Sequence, residues 1–168
     1  MPKVLMLIAP EGFRDEELFH TKEELEKAGV EVEVASSSLK EARGMLGATY
    51  SPDKDYREVK EKDYDGIIFV GGIGSSCYFN DQQALKLAKD FFQAGKVVGA
   101  ICIAPTILVN AGILQGKKAT AFPSEKDRIA SVGTYTGKQV EQDGKIITAS
   151  GPEAARKFGL LLAQALKA

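Results

Sequence analysis

Cys102 is the residue whose position in this sequence most strongly suggests chemistry. It ends the aliphatic run "VVGAI" of residues 97–101, and a segment that favours a helix follows at once. A side chain at such a junction projects over the edge of a parallel sheet, as in the nucleophile elbow of hydrolases, and the positive end of the helix favours a thiolate. Free cysteine is also among the residues most often buried in protein cores. The local pattern alone therefore leaves both interpretations open.

Glu17 is the candidate partner of that thiol. Asp15, Glu16 and Glu17 begin a predicted helix, where acids complement the macrodipole without any further role. Glu17, however, precedes Leu18 on the inward side of the pattern, so desolvation should raise the pKa of its carboxyl. A protonated Glu17 can donate a hydrogen bond to the Cys102 thiolate and move that proton during catalysis. We therefore expect a depressed pKa for Cys102, a Glu17 that is protonated near neutrality, and solvated side chains at Asp15 and Glu16.

The glycine-rich loop "VGGIGSS" adds possible backbone donors. It lacks the lysine and the spacing of the common phosphate-binding loops, so a tight turn or close backbone approach is the simpler interpretation. The amides of Gly72 and Ile103 would then form an oxyanion hole. Cys77 in this loop is either a disulfide partner for Cys102 on oxidation or an ordinary half-buried thiol. His20, three residues after Glu17, is the only histidine available as a base, and a surface position is its alternative.

The elements that must position these residues alternate along the chain. Short aliphatic runs between turn residues predict buried parallel strands, and amphipathic stretches that stop at glycine predict helices. The predicted strands are 4–9, 30–35, 66–70 and 97–101, and the predicted helices are 15–28, 81–94, 103–111 and 152–168. An Asp-Gly turn predicts a hairpin between 139–141 and 145–149, and the charged region 54–65 is interpreted as a solvated connection. The alternation predicts an α/β fold with a mostly parallel sheet covered by helices on both faces.

Length and charge exclude several classes of function. The chain has 168 residues, which suits one domain over 1–168, and its 22 basic and 23 acidic residues are mixed, so a nucleic-acid surface is not expected. No apolar run is long enough to span a membrane and no signal-peptide pattern begins the chain, so we expect a cytoplasmic protein. Two cysteines and one histidine predict neither a disulfide framework nor a metal site.

Five motifs taken in order resemble the ThiJ/PfpI superfamily, to which the parkinsonism-associated protein deglycase belongs. They are "FRDEE", "GGIGS", "AICIAPTILVNAGILQGKKAT", "FPSEKD" and "DGKIITASGP", and the resemblance runs from Lys3 to about Leu166. It implies a flavodoxin-like three-layer sandwich related to the class I glutamine amidotransferase fold, and a homodimer or higher homo-oligomer. It also implies that Cys102 is the nucleophile, Glu17 its partner, and Gly72 and Ile103 the oxyanion donors, with no cofactor.

Two departures from the family pattern shape the expected activity. The intracellular proteases of the family resemble this chain but have a histidine directly after the cysteine, where Ile103 stands, and the deglycase branch has a histidine where Phe122 stands. A cysteine peptidase of this kind is therefore disfavoured. The resemblance implies a cofactor-free glyoxalase or deglycase that acts on methylglyoxal-type carbonyls or glycated protein. An oxidation sensor or chaperone without turnover, using the same pair of residues, is the alternative, and a flavodoxin-like electron carrier is a more distant one.

Overall fold

A seven-stranded sheet forms the centre of the molecule in the computed structural model, which describes all residues 1–168. The strands are β1 Lys3–Ile8, β2 Glu11–Phe13, β3 Glu31–Ser36, β4 Ala42–Gly44, β5 Thr49–Tyr50, β6 Lys54–Asp55, β7 Gly66–Phe69, β8 Val97–Ile101, β9 Lys118–Ala119, β10 Thr134–Tyr135, β11 Val140–Asp143 and β12 Ile146–Ala149. The helices are α1 Asp15–Lys27, α2 Gln82–Gln93, α3 Pro105–Asn110, α4 Lys126–Ala130 and α5 Ala155–Lys167.

The sheet is parallel except at one edge. Its order is β11-β12-β8-β7-β1-β3-β6, and only the β11–β12 hairpin pairs antiparallel. Strands β2, β4 and β5 form a small second sheet, and β9 and β10 pair separately. The predicted parallel sheet and its terminal hairpin are both confirmed. Because β1, β7 and β8 are adjacent, the three loops that leave their carboxyl ends converge at one edge of the sheet.

Helices cover both faces of the sheet. Successive side chains of the central strands point to opposite faces, so a separate hydrophobic core forms on each face. On one face Leu5 and Leu7 of β1 belong to the same buried cluster as residues of α2 and α3. On the other face Val4 and Met6 pack in a cluster with residues of α1 and α5. None of the five helices combines the length and the apolar sequence that a membrane span requires.

Two predictions from the sequence are wrong in detail. The third helix begins at Pro105 rather than at Ile103, because the chain first makes a turn over residues 102–104 and proline suits the first helical position. Residues 54–65 are not merely a solvated connection. They contain the edge strand β6 and two short 3₁₀ turns, and they bury Tyr56, Val59 and Tyr64 in the core. Charged residues separate these three buried positions, so the segment has no apolar periodicity that predicts their burial.

Candidate active site

Cys102 lies in a strained turn at the carboxyl end of β8. Its φ of 66° makes it the only non-glycine residue in the left-handed region, a conformation that costs on the order of 1–3 kcal/mol and is concentrated at functional sites. Its own N–H donates to the Ala149 carbonyl at 2.9 Å, and its carbonyl accepts from the Phe122 N–H at 2.8 Å. The side chain is 9% exposed and contributes to the core cluster of the α1 and α5 face. The elbow geometry expected from the sequence is therefore present, with a largely buried thiol.

Glu17 comes from the first turn of α1 and is completely buried. Neither carboxyl oxygen has a partner in hydrogen-bond geometry, although the Cys102 thiol and the Gly71 amide are close enough to influence its ionisation. Burial raises the pKa of Glu17 to about 8, against the lowering influence of the Cys102 thiol and the Arg14 charge. The protonated Glu17 expected near neutrality agrees with this value.

The thiol itself departs from the prediction. Burial raises the pKa of Cys102 to about 12, a charged Glu17 raises it further, and the amides of Gly72 and Ile103 lower it. The predicted depression of this pKa is therefore wrong in direction: desolvation outweighs the two amides, and the short helix α3 begins later than expected. Glu17 and Cys102 ionise as a coupled pair, because a charge on either group disfavours a charge on the other.

The loop after β7 brings the two backbone donors to the sulphur. Gly72 has φ +99°, and a Cβ there would collide with the backbone of Phe13 and Arg14, so the close approach requires glycine. A Cβ on the preceding Gly71 would collide with the Glu17 carboxyl. Neither Gly72 nor Ile103 uses its N–H in a backbone hydrogen bond. Both amides therefore remain available to the sulphur or to an oxygen atom bound beside it.

These residues open into one cavity of about 530 Å³. The cavity is lined by Arg14, Glu17, Met45, Gly72, Ile73, Cys102, Ile103, Ala121, Phe122, Pro123, Ser124, Tyr135, Gly137, Ser150, Gly151, Pro152 and Glu153. Part of its rim is exposed and apolar, at Met45, Ile73 and Phe122. Phe122 carries no acid–base group, so neither position at which the family places a histidine supplies one here.

The structure does not bring His20 or Cys77 into this cavity. His20 is half-buried in an adjoining polar hollow, beside Glu16 and Arg156, which shares Arg14, Pro152 and Glu153 with the cavity wall. Cys77 is exposed on the 3₁₀ turn that follows Gly72 and is not part of the cavity wall. Neither residue is therefore placed to act on Cys102 from within the cavity, although Cys77 is more exposed and His20 more buried than their simpler interpretations from the sequence.

Two neighbours of Glu17 had roles that sequence reasoning missed. Asp15 is 8% exposed rather than solvated, and its carboxylate accepts from the Leu46 and Ala48 amides at 2.9 Å each. It thereby anchors the β4–β5 turn that carries Met45 to the cavity. Arg14 lines the cavity and donates to Glu16 at 2.9 Å, and this hydrogen bond raises its pKa. The only signal for Arg14 was its position in "FRDEE", next to the acids of α1.

Comparison of the sequence with known protein families identifies the family of this chain. A family model described as the DJ-1/PfpI family matches residues 2–165. The chain belongs to the DJ-1/PfpI family. The family predicted from the motifs is confirmed.

Among relatives, a protein of Methanocaldococcus jannaschii is 43% identical over 98% of this chain and 82% of its own length. A deglycase of Pyrococcus horikoshii is 32% identical over 89% of this chain and 90% of its own. A glutathione-independent glyoxalase of Caenorhabditis elegans is also 32% identical, over 97% and 88% of the two chains. The crystal structure of a ThiJ/PfpI domain protein from Brachyspira murdochii superposes with a TM-score of 0.95 at 30% identity, over 98% of this chain and 96% of that one. The flavodoxin-like fold expected for the family is confirmed.

Proposed function

We propose that this chain is a cysteine-dependent glyoxalase or deglycase that acts on methylglyoxal and related carbonyl compounds without a cofactor. One observation carries the proposal: the Cys102 thiol and the Glu17 carboxyl are buried side by side in a single cavity, with two free amides directed at the sulphur. Relatives named as a deglycase and a glyoxalase, each about 30% identical over most of both chains, support it. Cys102 would be the nucleophile and Glu17 the acid–base group.

Addition of the thiol to an aldehyde is the first step. The thiol is protonated at neutral pH, and the reaction starts from the minor fraction of molecules in which Glu17 is a carboxylate. That carboxylate accepts the thiol proton as the sulphur attacks the aldehyde carbon. The aldehyde oxygen gains negative charge, which the Gly72 and Ile103 amides stabilise, and it then takes the proton from Glu17. The product is a hemithioacetal on Cys102, and Glu17 is again a carboxylate.

The same carboxylate completes the reaction. Glu17 removes the hydrogen from the former aldehyde carbon, which gives an enediol. The proton of the hydroxyl on that carbon passes to the neighbouring oxygen, and Glu17 returns its own proton to the adjacent carbon, so the hemithioacetal becomes a thioester of a 2-hydroxy acid. Water then hydrolyses the thioester, releasing lactate when the substrate is methylglyoxal and restoring the thiol. A base with a pKa of about 8 is suited to both proton transfers near neutrality.

The size of the cavity bears on the range of substrates. At about 530 Å³ it lies within the usual range for small-molecule sites and exceeds what a three-carbon dicarbonyl fills. Carbonyl adducts on a larger thiol or amine, the substrates of a deglycase, therefore also fit. The apolar rim at Met45, Ile73 and Phe122 would contact the part of such a substrate that does not react.

A cysteine peptidase is less well supported by the cavity. A peptidase needs a base beside the thiol that also protonates a leaving amine. Ile103 and Phe122 supply none, and His20 does not line the cavity. An oxidation sensor would use the same thiol and the same amides, but it would not turn over a carbonyl substrate.

Lactate production from methylglyoxal tests the proposal. We expect turnover by the unchanged chain, no activity above the uncatalysed rate for Cys102→Ala, and a loss of at least about 100-fold for Glu17→Gln. Cys77→Ala is the matched control, since this exposed thiol lies outside the cavity, and its activity should stay within about twofold of the unchanged chain. Equal rates for the unchanged chain and Cys102→Ala would reject the proposal.

A further inference from the structure

The strained conformation of Cys102 requires support from its surroundings. A residue held at φ 66° persists only where neighbouring contacts over-determine it. One of its two backbone hydrogen bonds ends on β12 within the main sheet, at Ala149. The other comes from the Phe122 N–H, which belongs to a loop outside the sheet. The second contact can support the elbow only if that loop is itself fixed.

Glu125 fixes the loop to the helix that follows the cysteine. Its Oε1 accepts from the Thr106 hydroxyl at 2.7 Å, and its Oε2 accepts from the Ser124 hydroxyl at 2.7 Å. Its own N–H donates to the Phe122 carbonyl at 2.9 Å, closing the turn. Thr106 is completely buried in the first turn of α3, four residues after Cys102. The chain from Cys102 to Thr106, the Glu125 side chain and the Phe122 hydrogen bond therefore form a closed ring around the elbow.

A cap on α4 does not account for these contacts, and the exposed Arg128 of the same helix lies farther from Oε1, at 3.8 Å, than the Thr106 hydroxyl. Glu125 is the N-cap residue of α4, where acids commonly bond to the first amides of a helix, yet its side chain makes no cap hydrogen bond. It is 7% exposed, and a carboxylate that is nearly buried is costly unless it is well partnered. Both hydroxyl partners belong to segments next to the cavity, and Ser124 itself lines it.

We propose that Glu125 is a positioning residue: it holds the 122–125 turn against α3 and so keeps Cys102 in the strained conformation in which the Ile103 amide faces the sulphur. The role is independent of the proposed reaction, because it concerns the geometry of the elbow and not the substrate.

Amide hydrogen exchange measured by NMR tests this role without any need for turnover. In Glu125→Ala we expect the Phe122 amide to exchange about tenfold faster, because the hydrogen bond to Cys102 opens more often, while amides in β1 change by less than about twofold. Glu125→Gln keeps an acceptor for Thr106 and should restore most of the protection. Thr106→Val removes the hydroxyl donor with little change of shape, and it should reproduce the effect of Glu125→Ala. If Glu125→Ala does not fold, Thr106→Val takes its place in the test.

Asp127→Ala is the matched control, since it removes a neighbouring exposed acid of α4. It should leave the Phe122 exchange rate unchanged. If the chain turns over methylglyoxal, Glu125→Ala should also lower kcat by about tenfold with KM nearly constant, and Glu125→Gln should recover it. Unchanged protection of the Phe122 amide in both Glu125→Ala and Thr106→Val would overturn the proposal, and so would equal acceleration of all core amides, which indicates general destabilisation.

Discussion

Replacing Glu17 by glutamine should stabilise the fold while it removes the proposed chemistry. The carboxyl is fully buried, neither oxygen is hydrogen-bonded, and burial raises its pKa to about 8 from an ordinary value of 4.5. One pKa unit corresponds to about 1.4 kcal/mol, so keeping Glu17 protonated at pH 7 costs the folded chain about 3 kcal/mol. Glutamine avoids that cost. It leaves a buried side-chain amide without a hydrogen-bond partner, which destabilises the folded chain by about 1 kcal/mol. We expect a net gain of about 2 kcal/mol in the free energy of unfolding at pH 7.

The pH dependence of this gain identifies its cause. A carboxyl whose folded-state pKa is raised contributes stability that is complete below pH 4.5 and is lost as the pH rises through about 8. The unchanged chain should therefore lose stability relative to Glu17→Gln by about 1.4 kcal/mol per pH unit between pH 5 and 8. Urea unfolding at pH 5, 6, 7 and 8, followed by circular dichroism, measures the difference.

Glu16→Gln is the matched control, because it makes the same change one residue earlier on α1. The hydrogen bond from Arg14 lowers the pKa of Glu16, so its replacement should leave stability unchanged or slightly reduced at pH 7. A difference between Glu17→Gln and the unchanged chain that does not vary with pH would refute the reasoning. A less stable Glu17→Gln at pH 8 would also refute it.

Two further predictions concern catalysis and the loops around the cavity. Because the proposed base is the Glu17 carboxylate, kcat/KM for methylglyoxal should rise about tenfold per pH unit below pH 8 and level off above it; a flat profile between pH 6 and 8 would contradict that role. Asp15→Ala should lower the free energy of unfolding by about 2 kcal/mol in the same urea assay, because the Leu46 and Ala48 amides lose their acceptor. Asp15→Asn keeps one oxygen and should lose about half as much, and equal losses in the two variants would show that these hydrogen bonds are not the cause.

Much of the fold could be predicted because its signals are local. The buried central strands are continuous aliphatic runs, so the predicted limits of β1, β3, β7 and β8 agree with the structure to within one residue. The Asp-Gly turn at 143–144 predicted the β11–β12 hairpin for the same reason. Residues 54–65 were misjudged because Tyr56, Val59 and Tyr64 are buried through contacts with distant parts of the chain. Such burial leaves no periodic pattern in a charged segment.

The sequence by itself determined which groups can react and where along the chain they lie: a thiol at the end of β8, an acid in the first turn of α1, and glycines after β7. Only the tertiary structure decided how those groups ionise and which of them share a cavity. The pKa of Cys102 is raised rather than depressed, because the sheet and its covering helices exclude water from the thiol. Asp15 and Glu17 are two residues apart in one run of acids, yet one anchors a turn and the other faces the thiol. The desolvation of the thiol and the convergence of the loops on one cavity depend on the packing of segments far apart in sequence. No local sequence pattern predicts either of them.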